Sequence, residues 1–171
     1  DLFSSDSTPE QAAVHIEESF TEQLKKLPWL PEADPETQMI GVGGSFRNLF
    51  KIAKLVRKYP LDTAHNYRIA AEDFGGIYDM LKALDVDKRK KIKGLSPHRA
   101  DIMPAAMAIV KAFVSYMNIQ KFTIGGYGLR EGLMVNQALP ITQEKPISDV
   151  LSYSLETIVK YAGCDTKHVE H

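Results

Sequence analysis

The sequence predicts an α/β fold, on three observations. Residues 38–44 form a short β-prone run that ends in Gly41, Gly43 and Gly44, and a helical pattern follows. Residues 122–124 repeat the arrangement, with Gly125 and Gly126 ahead of a second helical pattern. Between these two units, nearly every residue from 102 to 117 is apolar. Strand, glycine turn and helix in succession mark a layered α/β domain. A helix apolar on all sides belongs inside such a domain. Three layers are expected, with ligands outside the C-terminal ends of the strands, where both glycine clusters fall.

The elements follow in order. Thr8 suits a helix cap, Pro9 the first helical position and Gln11 the capping box, and Ile16, Phe20 and Leu24 then lay one apolar stripe. Pro28, Pro31 and Pro35 break the chain into a loop. Residues 38–44 read as a buried strand entering a glycine turn. Ser45 is the expected cap of a helix that carries Leu49, Phe50, Ile52, Ala53, Leu55 and Val56 and ends before Pro60. Residues 66–69 are short and of undecided state. Residues 71–84 are helical, weakened at Gly75 and Gly76 by about 1 kcal/mol each. Ser96 and Pro97 open the long apolar helix as its cap and first position. A strand at 122–124 and a helix over 129–139 follow. Residues 140–146 read as a linker and 147–161 as a helix that Gly163 can end, with Asp165 capping a further start.

Composition excludes several classes. With 21 basic and 22 acidic residues the net charge is -1, which argues against a general binder of nucleic acid or anionic membrane. The lone cysteine, Cys164, rules out an internal disulfide and reads as incidental. The longest apolar stretch, 102–117, contains Pro104, Lys111 and Ser115 and is shorter than the roughly 20 residues that a bilayer span needs. With no leader pattern at the N-terminus, the reading is a cytoplasmic protein without a membrane partner. The phosphate-loop pattern GxxxxGK[ST] is absent, as are HExxH, GxSxG and any carboxylate pair with an evident acid/base division of labour.

The candidate chemistry is therefore that of backbone and charge. Gly41, Gly43, Gly44 and Ser45 can bring N–H groups close to an anion or a nucleotide base at a helix N-terminus, or can simply allow close helix–sheet packing. Gly125, Gly126 and Gly128 lead to Arg130, which can grip a phosphate with two donors, and to Glu131, which can orient Arg130 or a metal-bound water; a salt bridge at a helix start is the other reading. Arg99 and Asp101 fall in the first turns of the apolar helix, where pinning it to a neighbour is the favoured role. The run from Lys88 to Lys93 (with Arg89, Lys90 and Lys91) reads as a solvated face that can also guide a polyanion. His15, His65 and His98 match no zinc spacing, and His168 with His171 would need further ligands to hold a metal.

Taken together, GLSPHRADIMPAA at residues 94–106 and IGGYGLREGL at 124–133 resemble the exopolyphosphatase / guanosine pentaphosphate phosphohydrolase family, of the actin–Hsp70–sugar kinase (actin-like ATPase) superfamily. The likeness extends back through PLDTAHNY at 60–67 and GVGGSFRNL at 41–49, covering most of residues 1–145 in family order. It implies two ribonuclease-H-like domains facing a cleft. Residues 1–145 then resemble the second of them, from after its first strands. Residues 146–171 resemble a linker helix and the start of a helical, His-Asp-type third domain.

The implied activity removes the terminal phosphate of inorganic polyphosphate or of guanosine pentaphosphate, with Mg²⁺ whose ligands lie mostly outside this sequence. By the same resemblance, Gly43, Gly44 and Ser45 bind substrate phosphate with Arg130 and Glu131 nearby. Gly125, Gly126 and Gly128 line the cleft, and Arg99 and Asp101 hold the domain interface. Relatives carry the catalytic glutamate in the first domain and an Asp-Ile-Gly-Gly-Gly-Ser phosphate loop just ahead of the position of Asp1. No catalytic residue is therefore expected within these 171 residues, and the chain by itself is expected to be inactive. Implied partners are the substrate, the first domain of the same chain and a second copy in a homodimer. The alternative is a non-catalytic protein of the superfamily that binds a nucleotide alarmone; a structural scaffold is a third reading.

Overall fold

The computed structural model describes residues 8–28, 30, 38–138 and, near the C-terminus, 152, 155, 156 and 159. The expected linker at 140–146, Cys164, and the region from Asp165 to His171 lie outside these. Of the expected 147–161 helix, Ser152, Leu155, Glu156 and Val159 are described, and all four are helical. The chain divides into two compact units that meet between residues 128 and 129.

The first unit opens with α1 (Pro9–Leu24), whose start follows from three residues. The Thr8 hydroxyl accepts from the Gln11 N–H at 3.2 Å, the Gln11 side chain accepts from the Thr8 N–H at 2.9 Å, and Pro9 fills the first position. Then come β1 (Ile40–Gly41), α2 (Gly44–Val56), β2 (Tyr67–Ala70), α3 (Ala71–Ala83) and the single turn α4 (Val86–Arg89). A 3₁₀ turn (Pro97–Arg99), α5 (Met103–Tyr116) and β3 (Lys121–Ile124) complete the unit. Among the described residues the sheet has the order β1-β3-β2, with β1 parallel and β2 antiparallel to the central β3.

One face of the sheet is covered. Phe46 of α2 and Phe74 of α3 both meet the Phe122 ring edge-on, at 6.1 and 5.5 Å. Phe50 and Tyr59 do the same to Tyr67. Helix α5 packs on α1, α3 and α2, and is buried along Met103, Met107, Ala108, Val110 and Val114. The helix expected inside from its composition is buried along most of its length, while Ile109 (42%) and Tyr116 (39%) stay exposed. Tyr78 of α3 donates a hydrogen bond to Glu17 and so ties α1 down, and burial raises its phenol pKa far above the ordinary value.

Four expectations change. Strand β1 is a two-residue edge strand rather than a buried one, with Ile40 60% exposed, because it has a sheet partner on only one side among the described residues. Ser45 is not the cap of α2. Gly43 holds that position at φ +100°, a conformation that only glycine enters freely, and Ser45 falls one turn-position inside the helix. The apolar helix does not start at Ser96: the chain makes a 3₁₀ turn and restarts at Met103. Pro104, set deep in a continuous helix, would clash with the carbonyl of residue 100 and lack an N–H to bond it; two residues after Ile102 it fits the first turn. The basic run is not wholly solvated, because Arg89 is 4% exposed.

The second unit contributes α6 (Leu129–Ala138), as the sequence predicted. Arg130 is exposed and Glu131 is half-buried in its first turn.

Candidate functional site

The geometry begins where β1 and β3 end. The Gly125 N–H donates to the Gly41 carbonyl at 2.8 Å, which closes the parallel pair and sets the two glycine turns side by side. Gly41 is required there: a Cβ would lie 2.2 Å from the Phe46 ring, which folds back across the strand end. The chain then turns through Gly43 into α2. A glycine cap has no side chain to offer, so the N–H groups of Gly44, Ser45 and Phe46 have no hydrogen-bond partner among the described residues.

Against this helix start lies Arg99. A Cβ on Gly44 would stand 2.5 Å from Arg99 Nη2 and 2.7 Å from Cζ, so the guanidinium rests on the glycine's bare face. A cation at a helix N-terminus is repelled by the positive end of the macrodipole, by a few tenths to about 1 kcal/mol. Among the described residues no carboxylate forms an ion pair with Arg99. Three N–H donors and a guanidinium, none with a partner among the described residues, therefore lie close together at the start of α2. A phosphate-like anion satisfies both at once.

Arg99 is held in place by a clip that sequence reasoning missed. Asn48, on the second turn of α2 and 8% exposed, donates from Nδ2 to the Gly44 carbonyl at 2.8 Å and accepts from the Ser96 N–H through Oδ1, also at 2.8 Å. The loop can approach this closely because of Gly94, at φ +92°, where a Cβ would strike the Lys51 carbonyl carbon and oxygen at 2.7 Å. The signal in the sequence was a polar residue between core positions of a helix, directly ahead of Leu49 and Phe50.

The remaining candidates are placed as follows. Ser45 is half-buried at the second position of α2. Asp101 is exposed in the turn ahead of α5, and its charge reaches Arg89, whose pKa burial lowers and whose Nε has no partner among the described residues. Gly126 sits under His65, whose Nδ1 accepts from the Gly126 N–H over a long 3.4 Å, and Gly128 is half-buried two residues on. Arg130 and Glu131 belong to the second unit. Lys88 and Lys90 pair with Asp85 and Asp87. No group of three or more His, Cys, Asp or Glu among the described residues is placed to hold a metal ion. No described helix is long and apolar enough to cross a membrane.

A model of the Ppx/GppA phosphatase family matches residues 1–140. Among solved structures, the Ppx/GppA family member of Aquifex aeolicus superposes with a TM-score of 0.64 at 21% identity, over 78% of this chain and 43% of that one. An exopolyphosphatase from Cytophaga hutchinsonii ATCC 33406 gives 0.63 at 19% identity, over 78% and 43%. At these identities the likeness is one of fold, and it is the α/β fold that the sequence predicted. The chain spans less than half the length of either structure.

Proposed function

The chain belongs to the Ppx/GppA phosphatase family, and from that premise we propose that it forms part of a phosphoanhydride hydrolase. The whole protein releases the terminal phosphate of inorganic polyphosphate or of guanosine pentaphosphate. The observation that carries this reading is the guanidinium of Arg99 resting on Gly44 at the uncapped start of α2. In the proposed site, the N–H groups of Gly44, Ser45 and Phe46 and the fork of Arg99 bind phosphate oxygens. They hold negative charge as it shifts in the transition state, where positioning and electrostatics supply most of the catalysis. Arg130 and Glu131 are proposed to contact substrate phosphate in the whole protein. Lys91 and Lys93, exposed and outside the Asp85 and Asp87 pairs, are proposed to guide a polyanion toward it.

Water activation is assigned to a carboxylate of another part of the protein, so this chain alone is expected to give no turnover. Mg²⁺ is proposed for the whole protein; among the described residues no group of three or more His, Cys, Asp or Glu is placed to hold it. The test is phosphate release by the full-length protein on both substrates, with and without Mg²⁺. Arg99→Ala is expected to lower kcat/KM by about 10- to 100-fold, the loss of one charged, bidentate contact. Arg99→Lys keeps the charge and loses the fork, and is expected to fall between. Wild-type activity in Arg99→Ala would remove Arg99 from the site.

A further inference from the structure

We infer that His65 and Tyr127 form a stacking platform for the base of a nucleotide, beside the phosphate cradle; this rests on the phosphatase reading and makes Tyr127 the residue that separates nucleotide from inorganic substrate. Tyr127 is 65% exposed at the end of the β3 turn, where no packing requirement holds an aromatic. It nevertheless has an aromatic neighbour. The His65 ring lies 5.1 Å from it at a 55° tilt, and His65 is itself seated by its contact with the Gly126 N–H. Gly126 permits this seat, since a Cβ there would come within 2.9 Å of His65 Cβ. The Tyr127 ring thus has the tilted His65 ring against it and stays largely in solvent, which leaves ring surface for a flat base.

The position matches the cradle. Gly41 and Gly125 are joined by one hydrogen bond. Tyr127 lies two residues beyond Gly125 and Gly43 two residues beyond Gly41, and two residues reach about 7 Å at most. Base platform and phosphate donors are therefore within the span of one nucleoside polyphosphate. An inorganic polyphosphate chain has no base and gains nothing from the ring.

The test measures phosphate release by the full-length protein on guanosine pentaphosphate and on inorganic polyphosphate, for wild type, Tyr127→Ala and Tyr127→Phe. A stacked base predicts that Tyr127→Ala lowers kcat/KM on the nucleotide by about 5- to 150-fold. The loss appears mainly in KM, polyphosphate changes less than about twofold, and Tyr127→Phe restores the wild-type ratio. An equal fall on both substrates, or no change on the nucleotide, overturns the platform while leaving the phosphatase reading intact. A wild type active on polyphosphate alone overturns it as well. If neither substrate releases phosphate, the phosphatase reading fails separately. Calorimetric titration with guanosine triphosphate against inorganic tripolyphosphate then decides: tighter nucleotide binding that Tyr127→Ala abolishes supports the platform, and equal binding overturns it.

Discussion

Replacing Asn48 by alanine removes both hydrogen bonds of the clip, and the two losses differ in size. The Gly44 carbonyl keeps its helical bond from the Asn48 backbone, so losing the Nδ2 donor costs about 1 kcal/mol net. The Ser96 N–H, part-buried and bonded at 2.8 Å, loses its acceptor outright. An unpaired donor there costs about 1–3 kcal/mol. The expected sum is about 2–4 kcal/mol, or roughly 4–16 °C in Tm for a domain of about 150–250 residues. Urea unfolding of the full-length protein measures the total, and amide hydrogen exchange at Ser96 localises it. Asn48→Asp keeps the acceptor and loses the donor, so Ser96 protection persists in that variant and disappears in Asn48→Ala. Because the same clip places Arg99, Asn48→Ala also lowers phosphate affinity. Ser96 exchange that is unchanged in Asn48→Ala would refute the clip and with it the positioning of Arg99.

Three further outcomes follow from single residues. Gly41→Ala forces a Cβ to within 2.2 Å of the Phe46 ring and displaces that ring from Phe122, at a cost of about 1–3 kcal/mol in urea unfolding. The Lys88 N–H, bonded to Asp85 at 2.8 Å with the Lys88 ammonium behind it, holds the Asp85 carboxyl below its usual value near 3.8. A depressed pKa contributes stability that is present above that value and is lost as pH falls through the folded pKa. The stability deficit of Asp85→Asn is therefore largest at neutral pH and narrows below about pH 4. Arg89, 4% exposed with an unpartnered Nε, is a buried charge that contributes little, so Arg89→Met leaves the unfolding midpoint unchanged or raises it.

What could be read from sequence was what neighbouring residues decide among themselves. The Thr8, Pro9 and Gln11 cap is complete within four residues, and it is found as read. The apolar run of α5 has one physical destination, the interior, whatever surrounds it. Ser45 misled because the helix start is set by the turn out of β1, which demands the positive φ of Gly43 and so moves the cap two residues earlier. The clip was invisible for another reason: Asn48 and Ser96 are 48 residues apart, and only the packing of Gly94 on α2 brings them together. His65 and Gly126, 61 residues apart, meet by the same kind of long-range closure. Arg89 was hidden by its neighbours, since four lysines in the same run do face solvent. The glycine motifs were visible at once, but that Arg99 rests on one of them depends on this tertiary closure.

The most direct measurement is a titration of the full-length protein with inorganic tripolyphosphate, followed through backbone amide chemical shifts. A phosphate seated at the start of α2 moves the Gly44, Ser45 and Phe46 resonances together, saturably, and Arg99→Ala weakens the fitted Kd by about tenfold or more. Those three amides staying still while tripolyphosphate binds elsewhere would contradict the account.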